Sequence, residues 1–293
     1  MPHASPIAPP LPRAFDVICA GEALWSVDDA EPRNASAPRV RPGGGAVSSA
    51  LALARQGLRV GLATVLENDS LGRQVRERVA AAGIDTAGVE LAQPTSGIVF
   101  VRGGARQAVS QREQEQPVSV PAHWSSQVLL LSGMSPVVSH GAALCMAART
   151  ARRAGSVVVV DVNARWDLWA GRDARSIRMI LREADVVWAS AEDLFGLRMD
   201  AAAMRAALRP DAVLASSDGA GSAFASGPFG EVVRSPSVQP LSPTGEGDTF
   251  ATAICAELAR AENANEQNEE LWARALGRGY EAATALSERI ARR

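Results

Sequence analysis

The sequence predicts an α/β protein in which helices cover both faces of a mostly parallel sheet. Along most of its 293 residues, short apolar runs rich in valine, leucine and isoleucine alternate with alanine-rich segments of helical length. Several of these runs are apolar at every position, which is typical of parallel strands that are buried on both sides. Hydrophobic residues make up 47% of the chain and charged residues 21%, as expected for a protein with a large core.

The predicted elements follow this alternation from residue 15 onward. Strands are expected at residues 15–20, 59–65, 128–132, 157–160, 186–189 and 213–216, because these runs are short, apolar and rich in β-branched side chains. Helices are expected at 46–56, 72–82, 141–154, 176–183, 201–208, 248–260 and from about residue 270. Gly57 and Gly83 can supply left-handed caps for the first two helices. This order of elements predicts one α/β domain over residues 15–293.

Three stretches depart from the alternation. Residues 1–14 are rich in proline and predict a flexible lead-in. Residues 27–42 are polar and interrupted by prolines, whereas residues 98–120 combine alternating apolar positions with charged and glutamine-rich interruptions. Both of these stretches predict strands or loops that stand off the main sheet and could form a small lid.

Charge and cysteine content narrow the class of protein. A formal net charge of -2 gives no reason to expect binding to nucleic acid or to an anionic membrane. The apolar runs are far shorter than the ~20 residues of a membrane-spanning helix, and the N-terminal residues contain no apolar core of a signal peptide. Cys19, Cys145 and Cys255 lie far apart in apolar surroundings, so we expect buried, reduced thiols in a cytoplasmic protein.

The absence of lysine restricts the possible chemistry. All 30 residues counted as lysine or arginine are arginine. Mechanisms that need a lysine amine are therefore excluded, including Schiff bases, the P-loop lysine and the strand lysine of protein kinases. If this protein handles phosphate, the phosphate must be held by arginine, backbone amides, helix N-termini and a metal ion.

Residues 242–248 (SPTGEGD) form a glycine-rich turn directly before a predicted helix. Gly245 and Gly247 allow the backbone amides around Glu246 to converge where the helix begins, and such a helix N-terminus binds anions. Asp248 in the first turn could accept a proton from an attacking hydroxyl beside a bound phosphate. Taken alone, the segment also fits a structural turn whose acidic residue is favoured by the helix dipole.

Residues 43–57 (GGGAVSSALALARQG) open a second alanine-rich helix with three glycines. Gly43, Gly44 and Gly45 would let a ligand approach the backbone closely, near Ser48 in the first turn of the helix. The same residues also fit a tight loop that packs the helix onto the sheet. A dinucleotide-binding fingerprint is not expected, because Pro42 precedes the glycines and no clear hydrophobic strand does.

Residues 161–169 (DVNARWDLW) follow the buried strand predicted at 157–160. Open α/β sheets bind ligands at the carboxyl ends of their strands, where Asn163 and Arg165 would lie. The guanidinium of Arg165 matches the geometry of carboxylate and phosphate oxygens. The alternative is a helix-capping loop whose tryptophans belong to the core.

Together, and in this order, the three segments resemble the pfkB family of carbohydrate kinases. The first glycine segment resembles the family's Gly-Gly loop and helix, and residues 242–248 resemble its D-T-x-G-A-G-D signature. Residues 161–169 resemble the fructokinase and 2-keto-3-deoxygluconokinase branches. The resemblance implies a ribokinase-like three-layer αβα sandwich with a mostly parallel central sheet, and a small β-lid formed by about 27–42 and 98–120.

The resemblance also implies an activity, which is the ATP-dependent phosphorylation of a sugar or sugar-acid hydroxyl. Asp248 would be the general base, and the amides of Gly245, Glu246 and Gly247 would form an anion hole beside Arg165. The implied partners are a sugar and ATP with Mg²⁺ and a monovalent cation, and a second copy of the chain that pairs through the lid. The implied substrate-binding residues are Ser26, Gly43, Gly44, Gly45, Ser48, Asn163 and Arg165.

The nucleotide would lie along the ends of later strands. The implied nucleotide-binding residues are Ser190, Ser217, Asp218, Gly219, Gly221, Gly245 and Gly247. Glu192 and Asp193 would contact magnesium through water.

Several positions depart from the family pattern. Serine stands at positions 26, 48, 190 and 242, where the family has aspartate, asparagine, asparagine and aspartate, and Glu246 replaces an alanine. A serine hydroxyl cannot hold two sugar hydroxyls as a carboxylate can. The identity of the acceptor therefore stays open, and so do two alternatives: a non-catalytic or regulatory sugar- or nucleotide-binding descendant, and a nucleoside kinase.

Overall fold

The computed structural model describes residues 13–28, 39–92, 98–102, 105–108, 118–133, 141–163, 175–218, 221–235, 246–265 and 267–291. Within these ranges the strands are β1 (Phe15–Gly21), β2 (Leu24–Asp28), β3 (Arg39–Gly43), β4 (Val60–Glu67), β5 (Asp85–Ala92), β6 (Ile98–Arg102), β7 (Ala105–Ala108), β8 (Ser126–Ser132), β9 (Val157–Asp161), β10 (Val186–Ala189), β11 (Val213–Ser217), β12 (Ala223–Gly227) and β13 (Gly230–Arg234). The helices are α1 (Gly45–Ala54), α2 (Ser70–Ala81), α3 (Gly141–Arg153), α4 (Arg175–Leu181), α5 (Ala191–Leu197), α6 (Ala201–Ala207), α7 (Glu246–Arg260) and α8 (Glu269–Ala291).

The large sheet has the strand order β13-β12-β11-β10-β9-β8-β1-β4-β5. All neighbours from β11 to β5 pair in parallel, and only β12 and β13 are antiparallel. The mostly parallel sheet predicted from the apolar runs is therefore confirmed. Strands β5, β12 and β13 were not predicted, because these strands at the two ends of the sheet bury at most two positions each and lack a continuous apolar run; in β5 only Gly88 and Val89 are buried.

Helices cover both faces of this sheet, as predicted. Along β1, Val17 and Cys19 belong to a core cluster that also contains buried residues of α1, α2, α7 and α8. Ile18 and Ala20 point the other way, into a cluster that contains buried residues of α3, α4, α5 and α6. Successive side chains of a strand alternate between faces, so an apolar run is the sequence that two helical layers require.

A separate four-stranded sheet has the order β3-β2-β6-β7. β2 pairs with β3 in antiparallel and with β6 in parallel orientation, and β6 pairs with β7 in antiparallel orientation. The indole of Trp25 on β2 is buried, and the guanidinium of Arg78 on α2 lies 5.4 Å from its ring centroid. This small sheet contains the described strands of the two stretches that were expected to stand off the main sheet.

The strand order places a crevice between β1 and β8. From β1 the chain continues to β4 and β5 on one side, whereas β8, β9, β10 and β11 extend to the other side. Helix α1 lies on one face of the sheet and α3, which follows β8, lies on the opposite face. In open α/β sheets such a reversal of strand order opens a crevice at the carboxyl ends of the strands, where ligands bind. No helix in the described part of the chain is long and apolar enough to cross a membrane.

Candidate active site

The carboxyl ends of β1, β8 and β9 lie side by side at this crevice. Gly21 is in register with Ser132, and Ser132 is in register with Asp161. The amide of Glu22 donates to the Ser132 carbonyl oxygen over 3.1 Å, and the Thr64 hydroxyl donates to the Gly21 carbonyl oxygen over 2.7 Å. Gly21 has a φ of +140°, and a Cβ at this position would overlap with the Ser132 carbonyl oxygen, so β1 and β8 meet here because residue 21 is glycine.

The glycine loop before α1 packs directly against these strand ends. Gly44 has a φ of +92°, and the amide of Ala46 donates to the Glu22 carbonyl oxygen over 3.2 Å. A Cβ at Gly45 would lie 2.8 Å from the Gly133 nitrogen and would overlap with the Ser132 hydroxyl. The loop therefore needs its glycines for close packing, and the same packing brings its backbone to the crevice.

Strand β3 precedes this loop and belongs to the small sheet. Its sequence, RVRPG, contains no hydrophobic run, as expected, and it begins within the stretch 27–42 that was predicted to form strands or loops off the main sheet. Because β3 is not a strand of the main sheet, the βαβ unit of a dinucleotide fingerprint is still missing. Ser26 on β2 lies next to the loop, since a Cβ at Gly43 would be 3.1 Å from the Ser26 Cβ. Ser48 is half-buried in the first turn of α1.

A chain of side-chain hydrogen bonds runs from β8 to α7. The Ser132 hydroxyl donates to Asp161 Oδ2 over 2.7 Å, and Asp161 is fully buried at the end of β9. Asn163 Nδ2 lies 3.5 Å from the same oxygen and donates to Asp248 Oδ1 over 2.7 Å. An amide nitrogen placed between two carboxylates acts as a donor to both. Asn163 also has a φ of +31°, a sparsely populated conformation for a residue with a side chain.

Helix α7 presents its N-terminus and Asp248 to this chain. Glu246, Gly247 and Asp248 form the first turn, where backbone amides have no partner within the helix and the dipole favours an anion. The Asp248 carbonyl oxygen accepts a hydrogen bond from the Thr252 hydroxyl. Two residues after Asp248, the ring of Phe250 stacks on Trp188 of β10 with centroids 4.6 Å apart and planes 5° apart. This stacking attaches α7 to the sheet beside β9.

Ser190, which stands where the family has asparagine, caps the start of helix α5. The Ser190 hydroxyl accepts a hydrogen bond from the Asp193 amide over 3.1 Å and donates to Asp193 Oδ2 over 2.8 Å. Asp193 Oδ2 also accepts from the Ser190 amide over 3.0 Å, which completes a capping box. Asp193 is 6% exposed, whereas Glu192 is exposed. Ser190 and Asp193 therefore hold the start of α5 at the end of β10.

The turn between β11 and β12 follows Ser217 at the carboxyl edge of the sheet. The amide of Asp218 donates to the Ser222 carbonyl oxygen, and the amide of Ser222 donates to Asp218 Oδ1, both over 2.9 Å. Gly221 has a φ of +113°, and its carbonyl oxygen accepts from the Tyr280 hydroxyl over 2.7 Å. Ser217, Asp218 and Gly221 thus lie at the same edge of the sheet as Ser190 and Asp161.

The structure brings together most residues that were singled out in the sequence. Ser26, the three glycines at 43–45, Ser48, Asn163, Gly247 and Asp248 surround the crevice, and Ser190, Ser217, Asp218 and Gly221 follow the strands beyond it. Arg165, Gly219 and Gly245 lie outside the described residues. Ser132 and Tyr280 were not singled out in the sequence and carry no signal there, whereas Asp161 was singled out only as the first residue of the segment 161–169.

The cysteines do not contribute a nucleophile to the described part of this site. All three are free and buried. Burial raises the pKa of Cys19 and Cys255 far above the usual range, and the charges of Cys19 and Asp161 raise that of Cys255 further. Because the thiolate is the reactive form, these thiols are inert at neutral pH. The expectation of buried, reduced thiols is confirmed.

Comparison with known proteins identifies the family of the chain. Residues 14–286 match the profile of the pfkB family carbohydrate kinases. The chain is 27% identical over 279 residues to a 5-dehydro-2-deoxygluconokinase of Shouchella clausii, a match that covers 85% of this chain and 84% of the relative.

Two solved structures share the fold. One is a fructokinase double mutant from Vibrio cholerae O395 with bound fructose, ADP and potassium ion, at a TM-score of 0.75 and 19% identity over 92% of this chain and 91% of the other. The second is aminoimidazole riboside kinase from Salmonella enterica with aminoimidazole riboside and an ATP analogue, at a TM-score of 0.73 and 22% identity over 92% of each chain. The chain therefore belongs to the pfkB family of carbohydrate kinases and is a sugar kinase with the ribokinase-like fold.

Proposed function

We propose that the protein transfers the γ-phosphoryl group of ATP to a hydroxyl of a sugar or sugar acid, with Asp248 as the general base. The position of the Asp248 carboxylate is the observation that supports this most directly. It lies in the first turn of α7, and the Asn163 amide at the end of β9 donates to it over 2.7 Å. A carboxylate placed there can accept a proton beside a phosphate that the helix N-terminus binds.

The reaction proposed for this site is an in-line displacement. The acceptor hydroxyl oxygen forms a bond to the γ-phosphorus while the bond to the bridging β,γ-oxygen breaks, and ADP leaves with the electron pair of that bond. The hydroxyl proton passes to the Asp248 carboxylate. A carboxylate has about four acceptor positions, so Asp248 can take this proton while Oδ1 is held by Asn163. The amides of Gly245, Glu246 and Gly247 and the guanidinium of Arg165 are proposed to stabilise the charge on the phosphoryl group.

The acceptor is proposed to lie between the glycine loop and the small sheet. Gly43, Gly44 and Gly45 would border it through their backbone, and the side chains of Ser26, Ser48 and Asn163 would contact its hydroxyls. The small sheet is attached next to this crevice, so we propose that it forms the lid over the sugar. Fructokinase-like and 2-keto-3-deoxygluconokinase-like acceptors both fit this proposal, since Arg165 would suit a carboxylate as well as a phosphate.

ATP is proposed to lie across the ends of β10 and β11. Ser190, Ser217, Asp218, Gly219 and Gly221 are the residues expected to contact it. In the large sheet, β8 and β9 lie between β1 and the pair β10 and β11. The small sheet begins with β2, which directly follows β1 in the chain. This arrangement would leave the N-terminus of α7 between the two substrates, where the phosphoryl group must be transferred.

Magnesium fits this proposal as an ion carried by the ATP phosphates. In the described ranges, no group of three or more His, Cys, Asp or Glu side chains is placed to hold a metal ion. Asp193 Oδ2 already accepts two hydrogen bonds from Ser190, so we propose that Asp193 and the exposed Glu192 act on magnesium only through water. Mg²⁺ typically keeps several waters and binds substrate phosphates. We also propose that a monovalent cation binds near the site.

The test of the catalytic role is the variant Asp248→Asn. We expect turnover to fall by about 10²–10⁴-fold, the usual contribution of a general base, while ATP binding measured by calorimetry is retained. Asp200→Asn is the matched control, because Asp200 also lies at a helix N-terminus, where it accepts from the Ala203 amide over 2.7 Å, and asparagine caps a helix equally well. A fully active Asp248→Asn enzyme would refute the assignment.

A second candidate role for this member of the family is the binding of a sugar or nucleotide without turnover, and one contact bears on it. The Ser190 hydroxyl is bonded to Asp193 within the capping box, which is a structural role for a position that was expected to contact nucleotide. A thermal-shift panel of sugars with Mg·ATP, followed by measurement of ADP release, separates the candidates. Binding without turnover across a broad panel indicates the second, whereas stabilisation by nucleosides but not by ketoses indicates a nucleoside kinase.

We further propose that the protein is a cytoplasmic homodimer that pairs through the small sheet. The outer strands of that sheet, β3 and β7, have one hydrogen-bonded strand neighbour each in the described structure. Unpaired strand edges can pair with a second chain. Light scattering after size-exclusion chromatography measures the mass, and a monomer at micromolar concentration would contradict this proposal.

A further inference from the structure

The single tyrosine of the chain contacts two parts of the proposed site at once. Tyr280 lies in α8, and its side chain is buried. Its hydroxyl donates to the Gly221 carbonyl oxygen over 2.7 Å and lies 3.1 Å from the Arg234 carbonyl oxygen. Its ring packs edge-on against Phe250 of α7, with centroids 5.0 Å apart and planes at 87°. One side chain thus connects the turn between β11 and β12 with the helix that carries Asp248.

The turn depends on contacts outside itself at Gly221. A φ of +113° is readily adopted by glycine, but glycine has no side chain that could restrain it. Asp218 and Ser222 are joined by hydrogen bonds of their own, and the Ser222 hydroxyl lies 2.9 Å from the Ser235 hydroxyl. The Tyr280 hydroxyl therefore supplies the hydrogen bond that attaches Gly221 to the helical layer.

The contact with α7 is equally specific. Phe250 is stacked on Trp188 of β10 on one side and meets Tyr280 on the other. Residue 279 is glycine, and a Cβ there would lie 2.6 Å from Phe250 Cε1. Helix α8 can approach the Phe250 ring only because that Cβ is missing, so the distance from α8 to α7 is set by close packing. Phe250 follows Asp248 by two residues, which makes Tyr280 part of the support of the Asp248 turn.

We infer that Tyr280 is a positioning residue that holds Gly221, directly before β12, at a fixed distance from α7, and that it thereby sets the affinity for ATP. This inference rests on the proposed function, in which Asp218 and Gly221 contact the nucleotide and Asp248 faces the phosphoryl group. A nucleotide that spans the region of Gly221 and the start of α7 binds best when the distance between these two is fixed before binding. Binding then does not have to order them, so less conformational entropy is lost.

The variant Tyr280→Phe tests the inference, because it keeps the ring and removes the hydroxyl. We expect the KM for ATP to rise roughly threefold to tenfold, the effect of one hydrogen bond, with kcat and the KM for the sugar within about twofold of wild type. The Kd of a non-hydrolysable ATP analogue, measured by calorimetry without sugar, should rise by the same factor.

Ser156→Ala is the matched control. The Ser156 hydroxyl is also buried and donates to a backbone carbonyl, that of Ser126, over 2.6 Å. It lies before β9 and therefore at the opposite, amino-terminal edge of the sheet. We expect this variant to lose a similar amount of stability and to keep the wild-type KM for ATP. An equal rise of this KM in both variants would overturn the inference, because the effect would then be one of general stability.

A spectroscopic measurement gives a second readout that does not depend on activity. Because the chain has one tyrosine, labelling with 3-fluorotyrosine yields one ¹⁹F resonance. We expect the ATP analogue to shift this resonance and sugars alone to leave it in place. A resonance that stays unchanged at saturating analogue, or an unchanged analogue Kd in Tyr280→Phe, would overturn the inference. A wild-type protein that binds no analogue at all would instead contradict the proposed function.

Discussion

The hydrogen bond between Asn163 and Asp248 can be removed without straining the backbone. Asn163 has a φ of +31°, which glycine adopts freely but alanine does not. The variant Asn163→Gly therefore deletes the amide and relieves the conformational strain, whereas Asn163→Ala deletes the amide and keeps the strain. The two variants lose the same contact with Asp248 and differ in stability, so they separate a catalytic effect from a folding effect.

The size of the effect follows from the kind of bond. Asn163 Nδ2 donates to Asp248 Oδ1 over 2.7 Å, and hydrogen bonds to charged groups contribute about 1.5–3 kcal/mol. If the bond orients the proposed base in the transition state, its loss should lower kcat by about 10- to 150-fold, at 1.36 kcal/mol for each factor of ten. Alanine in a left-handed conformation costs a further 1–2 kcal/mol or so, which should appear only in the unfolding free energy of Asn163→Ala.

The assay measures ADP release with the acceptor found by the substrate screen, and urea unfolding gives the stability of each variant. We expect equal losses of kcat in the glycine and alanine variants, with the KM for ATP unchanged, and an unfolding free energy that is about 1–2 kcal/mol lower for the alanine variant than for the glycine variant. If Asn163→Gly keeps the wild-type kcat while Asn163→Ala loses it, the amide does not orient Asp248. The positioning role argued from the 2.7 Å contact would then be refuted.

Three further predictions concern packing, pH and thiol chemistry. Gly45→Ala should lower the unfolding free energy by about 1–3 kcal/mol, because its Cβ would lie 2.8 Å from a backbone nitrogen. Gly277→Ala has open space around its Cβ and should raise the unfolding free energy by about 0.4–1 kcal/mol. Equal urea midpoints for the two variants would contradict both expectations. Burial raises the pKa of Asp16, but hydrogen bonds and charge from Arg59 outweigh it and hold that pKa below its usual range. The pair of Asp16 and Arg59 therefore stabilises the protein above about pH 4, and this stabilisation is lost as the pH falls through the folded-state pKa of Asp16. Arg59→Ala should lower the unfolding free energy by about 0.5–1 kcal/mol at pH 7 and by less near pH 2–3. A loss that does not change with pH would count against this prediction. Cys19 is buried and burial raises its pKa, so it should react with iodoacetamide only in urea. Mass spectrometry of the native and the unfolded protein measures this labelling. Rapid labelling of the native protein would show instead that strand β1 opens.

The central strands were predictable from the sequence because burial on both faces leaves no polar position in them. β9 and β10 were found with errors of at most one residue at an end. The edge strands β5 and β13 were not, and neither was β12 beside β13, because a strand with a partly solvated face needs no apolar run. Helix α5 was also not predicted. It has seven residues, and the residues of its capping box were interpreted as nucleotide and metal contacts.

The small sheet shows the same limit. The sequence indicated that stretches 27–42 and 98–120 leave the main sheet, since proline and charged residues interrupt them. It could not show that β2 pairs with β6 in parallel, because these strands are about 70 residues apart and β3, α1, β4, α2 and β5 lie between them in the sequence.

The sequence by itself determined which chemical groups are available. The absence of lysine excludes mechanisms that need a lysine amine, and the glycine next to Asp248 at a predicted helix start predicted where backbone amides could bind an anion. Only the tertiary structure decided which groups meet. Asn163 and Asp248 are 85 residues apart, and their contact requires β9 and α7 to be placed within a hydrogen-bond length of each other. That placement results from the strand order and from the stacking of Phe250 on Trp188, which no local pattern encodes because a contact between distant segments depends on the packing of the whole core.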